Sequence, residues 1–288
     1  MSQLVECVPN FSEGRDAAVV TALRASIESA LGGSVLDTTS DVDHNRTVIT
    51  FAGSPEAVLR AAVEAAGTAV ERIDLRAHEG VHPCIGAIDV LPFVPISGIT
   101  LAQCATLAVS AGERIWRRWR LPVYLYEEAA RSPERRNLTQ ARKKPLGVPD
   151  IGGPGPHPSA GAVAAGARRF LIAYNVNLKS SDLTVAQVIA MRIRASSGGL
   201  PAVKALGLPL ASQGIVQVSM NLIDFETTPM HVAFQAVCRE ASGLGVDVLE
   251  SELIGLVPRR AWELSRGCDL RIRGWDESRI LENRLKRV

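Results

Sequence analysis

The chain has 288 residues, of which 47% are hydrophobic and 22% are charged, with a formal net charge of +2. This length and hydrophobic content allow two domains of ordinary size, each with its own buried core. No run approaches the roughly 20 apolar residues that span a bilayer, and the N-terminus lacks the basic and then apolar layout of a signal peptide. We therefore expect a cytoplasmic protein with no membrane partner. The balanced charge does not identify a nucleic-acid-binding protein.

The cysteines predict neither a disulfide framework nor a zinc site. They are odd in number, scattered along the chain and never arranged as C-x-x-C. We expect free thiols at Cys7, Cys84, Cys104, Cys238 and Cys268.

The hydrophobic pattern of the first half predicts strands and helices in the order β-α-β-β-α-β. Ser54 and Pro55 give the clearest start signal, an N-cap followed by proline at the first helical position. The order is that of a ferredoxin-like unit, with two helices on one face of an antiparallel sheet. Its predicted elements are strand Leu4–Val8, helix Asp16–Ala30, strands Ser34–Asp37 and Arg46–Phe51, the helix after Ser54, and strand Ile85–Val94.

The middle of the chain predicts a helix at Ile99–Trp116 and a strand at Pro122–Tyr126. Arg131–Ala160 follows, rich in proline, glycine and arginine and without periodicity. A loop of that length in a compact domain is usually functional or mobile.

The second half repeats the same order of elements without obvious sequence identity. They are strand Phe170–Val176, helix Leu183–Ala195, strands near Ala202–Leu206 and Gly214–Asn221, helix Met230–Leu244 and strand Val246–Ile254. The prediction is therefore an α+β protein with two ferredoxin-like (βαββαβ) subdomains packed around a cleft, spanning residues 1–178 and 179–288. Clefts between domains are favoured ligand sites.

The segment Arg76–Pro83 places two histidines and an acid in a loop that leads into a strand. Loops held by rigid strands commonly carry catalytic groups. His78 and His82 would share a face as metal ligands on a helix, but Gly80 and Pro83 argue against a helix, so we predict no metal. From chemistry alone, a loop histidine that only hydrogen-bonds the backbone is an equally good interpretation.

Two further polar segments lie beside predicted strands. In Asp41–Arg46, the side chains of Asn45 and Arg46 could orient a carboxylate or an amide, although a solvated hairpin loop has the same composition. In Pro9–Arg15, a strand gives way to a helix whose first N–H groups could receive an anion, although an ordinary capping turn would look the same.

Ser159–Arg169 is a small-residue segment that ends in two arginines. Its lack of bulk would let a flat ring lie close to the backbone of a loop. It has neither the Walker nor the Rossmann glycine spacing, and a flexible connector remains the alternative. A run of basic residues precedes this segment. Such a run is either a solvent-exposed face or a surface that attracts anionic ligands. That run comprises Arg131, Arg135, Arg136, Arg142, Lys143 and Lys144.

Taken together and in this order, these segments resemble the glutamate formimidoyltransferase family, the transferase part of formimidoyltransferase-cyclodeaminase. The matching stretches are VECVPNFSEGRD, VLDTTSDVDHNRTVITFAG, HEGVHPCIGAIDVLPFVP, PVYLYEEAA, GARRFLIAYNVNL and QVSMNL. So many separated blocks are far more specific than any single motif.

The resemblance implies transfer of a formimidoyl group from N-formimidoyl-glutamate to N5 of tetrahydrofolate, within one-carbon metabolism and histidine degradation. It implies two ferredoxin-like subdomains, a folate-binding cleft, a homodimer and tetrahydrofolate as co-substrate. The chemistry of the transfer itself needs no metal. His82 takes the position of the acid–base histidine. The implied folate-binding residues are Gly161, Ala162, Gly166, Ala167, Arg168 and Arg169, and the candidates for substrate binding are Asn10, His44, Asn45 and Arg46. The chain stops at Val288, so we expect the cyclodeaminase step to be performed by another protein.

One departure concerns Cys84, because the family usually has arginine at that place. Either a nearby basic residue has taken over the role of that arginine, or the substrate carries one carboxylate fewer than N-formimidoyl-glutamate.

Rival functions are a related formyl or formimidoyl transfer with another amino acid, and a catalytically weak folate-binding protein. An RNA-binding module shares the ferredoxin-like topology, but 5% aromatic residues and the lack of an aromatic RNA-binding strand argue against it.

Overall fold

The chain divides into two compact units, and the division falls between Arg169 and Phe170. The computed structural model describes residues 3–142 and 147–286, so Lys143 and Lys144 of the basic run lie outside the described residues. The division precedes the predicted boundary at residue 178. The reason is that the strand Ile172–Leu178 pairs on both sides with strands of the second unit.

The first unit contains a seven-stranded sheet, and its three long helices bury their apolar faces in one core against it. Its strands are β1 (Leu4–Cys7), β2 (Asn10–Phe11), β3 (Asp37–Asp41), β4 (Arg46–Gly53), β5 (Ile88–Ser97), β6 (Val123–Glu127) and β7 (Val163–Ala167). Its helices are α1 (Ala17–Leu31), α2 (Pro55–Arg72), α3 (Leu101–Trp119) and the short α4 (Leu138–Ala141), with 3₁₀ turns at Leu75–Ala77 and Pro133–Arg136.

Local signals explain where these helices begin and end. Asp16 accepts hydrogen bonds from the first N–H groups of α1, and Gly32 closes that helix in a left-handed conformation. Thr100 and Gln103 form a reciprocal capping box at the start of α3. Ser54 precedes α2 as predicted, but its hydroxyl makes no capping bond, so proline at the first position is the operative signal.

The strand order confirms the predicted ferredoxin-like unit. β4 lies between β3 and β1, and β1 lies between β4 and β5, all antiparallel. β2 continues β1 between the same two neighbours. Beyond β5 the sheet carries two further strands, β7 and then β6, both parallel to β5.

The prediction of a loop over Ser159–Arg169 is wrong, because Val163–Ala167 is a fully buried strand in the middle of the sheet. Alanine and glycine are poor strand formers on propensity, so this segment carries no strand signal. Their small size is what the packing requires. A Cβ on Gly86 would lie 1.7 Å from the carbonyl oxygen of Ala162, which shows how closely the two backbones approach.

The second unit is a four-stranded antiparallel sheet in the order β11-β8-β10-β9, again the ferredoxin-like order. Its strands are β8 (Ile172–Leu178), β9 (Val203–Leu210), β10 (Ile215–Leu222) and β11 (Val248–Ile254). Its helices are α5 (Leu183–Ile193), α6 (Met230–Gly243), α7 (Arg259–Leu264) and α8 (Leu281–Leu285), with 3₁₀ turns at Ala195–Ser197 and Glu277–Arg279. Across the described part of the chain, no helix is both long and apolar enough to cross a bilayer.

We expect Gly86→Ala to destabilise the first unit, because the added methyl group would clash with backbone rather than with a movable side chain. Overpacking of this kind costs about 1–3 kcal/mol. The measurement is the urea midpoint of unfolding. Gly243→Ala, at the end of α6 with open space around its Cβ position, is the control and should unfold no earlier than the wild type. Equal midpoints for the two variants would contradict this packing argument.

Candidate active site

A β-bulge in β5 points an acidic side chain into the interior of the first unit. Consecutive residues of β2 pair with Val90 and Ile88, so Asp89 is the extra residue without a cross-strand partner. Bulges of this type re-aim side chains and are frequent beside active sites. The Asp89 side chain is fully buried.

Asp89 is held by two arginines and one backbone amide. Arg46 donates from Nη1 to Oδ2 at 2.8 Å, and Arg142 donates from Nη2 to the same oxygen. The amide of Ile85 donates to Oδ1 at 2.9 Å. Burial opposes ionisation of this carboxyl, but the guanidinium groups of Arg142 and Arg46 hold its pKa below the usual value. The cluster of Asp89, Arg46 and Arg142 therefore carries one positive charge in excess.

The side-chain amides of two predicted substrate-binding residues form hydrogen bonds within the protein. Asn10 accepts from Nε of Arg46 at 3.1 Å and donates to the carbonyl of Val8 at 2.8 Å. Asn45 accepts from the amide of Gly14 at 2.9 Å and donates to the carbonyl of Glu79 at 3.1 Å. Both side chains therefore hold neighbouring segments in position.

Asn45 also ties the loop of the two histidines to the β3–β4 turn. Its φ of 46° is in the left-handed region, which asparagine tolerates better than most residues. Its side-chain nitrogen lies 3.2 Å from Nδ1 of His78, which must accept because an amide nitrogen only donates. Gly80 lets the two segments touch, because a Cβ there would lie 2.5 Å from the carbonyl oxygen of His44.

The hydrogen bonding of His82 fixes its tautomer. Nδ1 lies 2.9 Å from the carbonyl oxygen of Pro83. A carbonyl oxygen only accepts, so Nδ1 carries the hydrogen and the lone pair of the neutral ring is at Nε2. The atom of His82 that can take a proton is therefore Nε2.

The surroundings of His82 favour its neutral form. Desolvation and the positive charges of Arg46 and Arg142 hold its pKa well below the usual value, against the opposing charge of Asp89. The ring of His44 is stacked on that of His82 with 6.0 Å between the ring centres. Nε2 of His44 is buried and has no hydrogen-bond partner among the described residues. A buried nitrogen without a partner beside His82 is a place for a ligand atom.

Cys84 lies in irregular backbone two residues after His82, because β5 begins only at Ile88. The alternation of side chains along a strand therefore says nothing about which way it points relative to His82. Its side chain is half-buried and its thiol is free. The positive charges near His82 come from Arg46 and Arg142, and not from an arginine at position 84.

The predicted folate-binding residues separate into two groups. Ala162, Gly166 and Ala167 are buried within the sheet and present no free surface. Gly161, Arg168 and Arg169 lie at the ends of β7 and remain at least partly exposed. Arg168 donates from Nη1 to the carbonyl of Arg169 at 3.0 Å.

Sequence reasoning missed Asp89 and the part that Arg142 plays beside it. The signal for Asp89 was available, since it is the one charged residue in the apolar run Ile85–Val94. Arg142 was noted only as part of a basic run. Only the fold shows that Arg142 contacts Asp89 of β5.

Among residues 3–142 and 147–286, no three His, Cys, Asp or Glu side chains are grouped as metal ligands.

Comparison with protein families gives two matches that cover most of the chain. The family model of the formiminotransferase domain, N-terminal subdomain, matches residues 4–168. That of the formiminotransferase domain matches residues 173–267. The gap between the two matches falls at the division between the two units.

Similar curated proteins cover nearly the whole chain. The glutamate formimidoyltransferase of Streptococcus pyogenes serotype M1 is 41% identical over 99% of both chains. The protein of the same name from Thermoplasma acidophilum is 42% identical over 99% of this chain and 98% of its own. The formimidoyltransferase-cyclodeaminase of Gallus gallus is 44% identical over 91% of this chain, which spans about half (51%) of that protein. With both family models matched and relatives above 40% identity over nearly the full length, this chain belongs to the formiminotransferase family.

Proposed function

We propose that this protein is a glutamate formimidoyltransferase that moves the formimidoyl group of N-formimidoyl-glutamate to N5 of tetrahydrofolate, with His82 as the acid–base catalyst. Family membership and the names of its full-length relatives support the transfer reaction. The observation that carries the role of His82 is its fixed tautomer, with an available lone pair at Nε2 beside a positively charged cluster.

The reaction needs one group that moves a proton twice. N5 of tetrahydrofolate attacks the formimidoyl carbon, which forms the new C–N bond and a tetrahedral intermediate. Nε2 of His82 takes the proton from N5 and returns it to the glutamate nitrogen, because an amine leaves only when protonated. The C–N bond to glutamate then breaks, and free glutamate and 5-formimidoyl-tetrahydrofolate are the products. His82 ends neutral, as it began.

The remaining residues divide between positioning and binding. Asn10 and Asn45 hold Arg46 and the histidine loop in place, and Arg46 contributes charge while fixed on Asp89. His44 offers its unpartnered Nε2 to the substrate. Among the residues at β7, we propose that tetrahydrofolate contacts Gly161, Arg168 and Arg169, whose surfaces are accessible.

The proposal includes the homodimer that the family resemblance implies. Light scattering of the protein in solution would test this oligomeric state.

The alternative is a folate-binding protein with little turnover. A single assay separates the two functions. Tetrahydrofolate is incubated with N-formimidoyl-glutamate, and the absorbance of the 5,10-methenyl product is followed after acid treatment. Tight folate binding with no product would favour the alternative.

We expect His82→Asn to lower kcat by about 10²-fold or more while folate affinity is retained, since general acid–base catalysis contributes on that scale. Steady-state kinetics and calorimetric folate binding are the measurements. His231→Asn is the matched control, because His231 contacts Ser265 in the second unit and asparagine can keep a polar contact there. Undiminished kcat in His82→Asn would remove His82 from the mechanism.

The pH dependence should differ between the free enzyme and the substrate complex. Desolvation, together with the positive charges of Arg46 and Arg142, lowers the pKa of His82 in the free protein, so the acid limb of kcat/KM should lie below the ordinary histidine value of about 6.5. A bound substrate carboxylate offsets those positive charges, so the acid limb of kcat should lie at higher pH. Both limbs should vanish in His82→Asn. An acid limb of kcat/KM above that of kcat would contradict this electrostatic account.

We expect Arg168→Ala or Arg169→Ala to raise KM for tetrahydrofolate more than it changes kcat, because these arginines would bind folate carboxylates away from the reacting atoms. Arg60→Ala, an exposed arginine on α2, is the control for loss of one positive charge. If KM for tetrahydrofolate is unchanged in both variants, the end of β7 has no role in folate binding.

A further inference from the structure

Arg142 reaches the catalytic region from a distant part of the chain. It follows the short helix α4 and lies 53 residues beyond Asp89 in sequence, yet its guanidinium group donates to the Asp89 carboxylate. Its side chain is 16% exposed, so most of it is removed from solvent.

The guanidinium group of Arg142 is only partly used by the protein. Its Nε is buried and has no hydrogen-bond partner among the described residues. Leaving a buried donor unpaired costs about 1–3 kcal/mol, so native proteins rarely do it without a reason. A ligand atom that accepts hydrogen bonds would remove this cost.

Charge indicates what kind of acceptor the site would take. Asp89 neutralises only one of the two arginines bound to it, so the cluster retains a positive charge. Arginine presents planar donors that match a carboxylate, and charge-assisted bonds of this kind are the strong ones. Arg46 is less available, because Asn10 accepts from its Nε. The cluster therefore favours an anionic acceptor at Arg142.

We propose that Arg142 is a specificity-determining residue that binds one carboxylate of the amino-acid substrate through its free Nε–H. This inference rests on the proposed function for the identity of the substrate, but not for the geometry of the donor. It assigns the carboxylate contact beside His82 to a residue outside the His82–Cys84 segment. It also gives the short α4 segment a role in substrate choice.

The test is a matrix of binding measurements that needs no turnover. Calorimetry without tetrahydrofolate gives Kd for N-formimidoyl-glutamate and for its two monoamides, in which either the α- or the γ-carboxylate is replaced by a carboxamide. In the wild type, the monoamide that lacks the carboxylate bound by Arg142 should bind roughly 10- to 100-fold more weakly than the diacid. In Arg142→Gln that difference should disappear, while any effect of the other monoamide persists.

Matched variants separate binding from positioning. Arg142→Lys keeps a positive charge for Asp89 but loses the Nε donor, so it should bind the diacid more weakly while melting close to the wild type. Arg136→Gln removes the same charge from an exposed arginine of the same segment and should leave all three Kd values unchanged. Thermal melting of each variant shows that it is folded.

The outcomes are distinct. If Arg142→Gln weakens all three ligands equally, or weakens none, Arg142 only supports Asp89 and the inference is wrong. If the binding pattern is as expected but the wild type makes no product from N-formimidoyl-glutamate and tetrahydrofolate, the proposed function fails while Arg142 remains a carboxylate-binding residue.

Discussion

The candidate site depends on one buried carboxylate. Asp89 occupies a bulge of β5, and its oxygens accept from Arg46, from Arg142 and from the backbone of Ile85. An isolated carboxylate in the interior would be very costly, so it must be paired and hydrogen-bonded to remain charged. Because three separate segments supply those partners, satisfying this one group brings them to the same place. The positive charge near His82 is thus a consequence of the two arginines that stabilise the buried Asp89 carboxylate.

The histidine loop adds a second constraint that does not involve charge. Asn45 joins the β2–α1 loop, the β3–β4 turn and the segment of His78 and Glu79 by hydrogen bonds. His44 precedes Asn45 in the chain and His82 follows the segment that Asn45 binds, so these bonds help to place both rings. Side chains whose neighbours are already fixed lose little freedom when a ligand arrives, which is the condition for preorganised catalysis.

Much of this architecture was predictable, and the failures have physical causes. Periodicity and capping signals located α1 and α2, because each has one apolar face and a marked start. The alternation of strands and helices along the chain predicted the strand order of both units. Val163–Ala167 was missed because its role is close packing, for which small residues are needed whatever their strand propensity. His82 was singled out through family resemblance, and its catalytic role stays a prediction. Asn10 and Asn45 were predicted to bind substrate, but whether an amide faces a substrate or a neighbouring segment depends on tertiary contacts, and both side chains bond to the protein here. The pairing of Arg142 with Asp89 depends on the same long-range contacts and leaves no local pattern.

The wide spacing of the site in sequence has a consequence for the order of folding. Asp89 meets Arg46 across 43 residues and Arg142 across 53, so its partners come from both directions along the chain. Contacts of such separation form only after the entropy of closing long loops has been overcome. During synthesis the strands up to β5 emerge before α4, so Arg46 is the only one of the two arginines that can pair with Asp89 until residue 142 leaves the ribosome. The last charge to join the cluster is therefore the one that completes the candidate site.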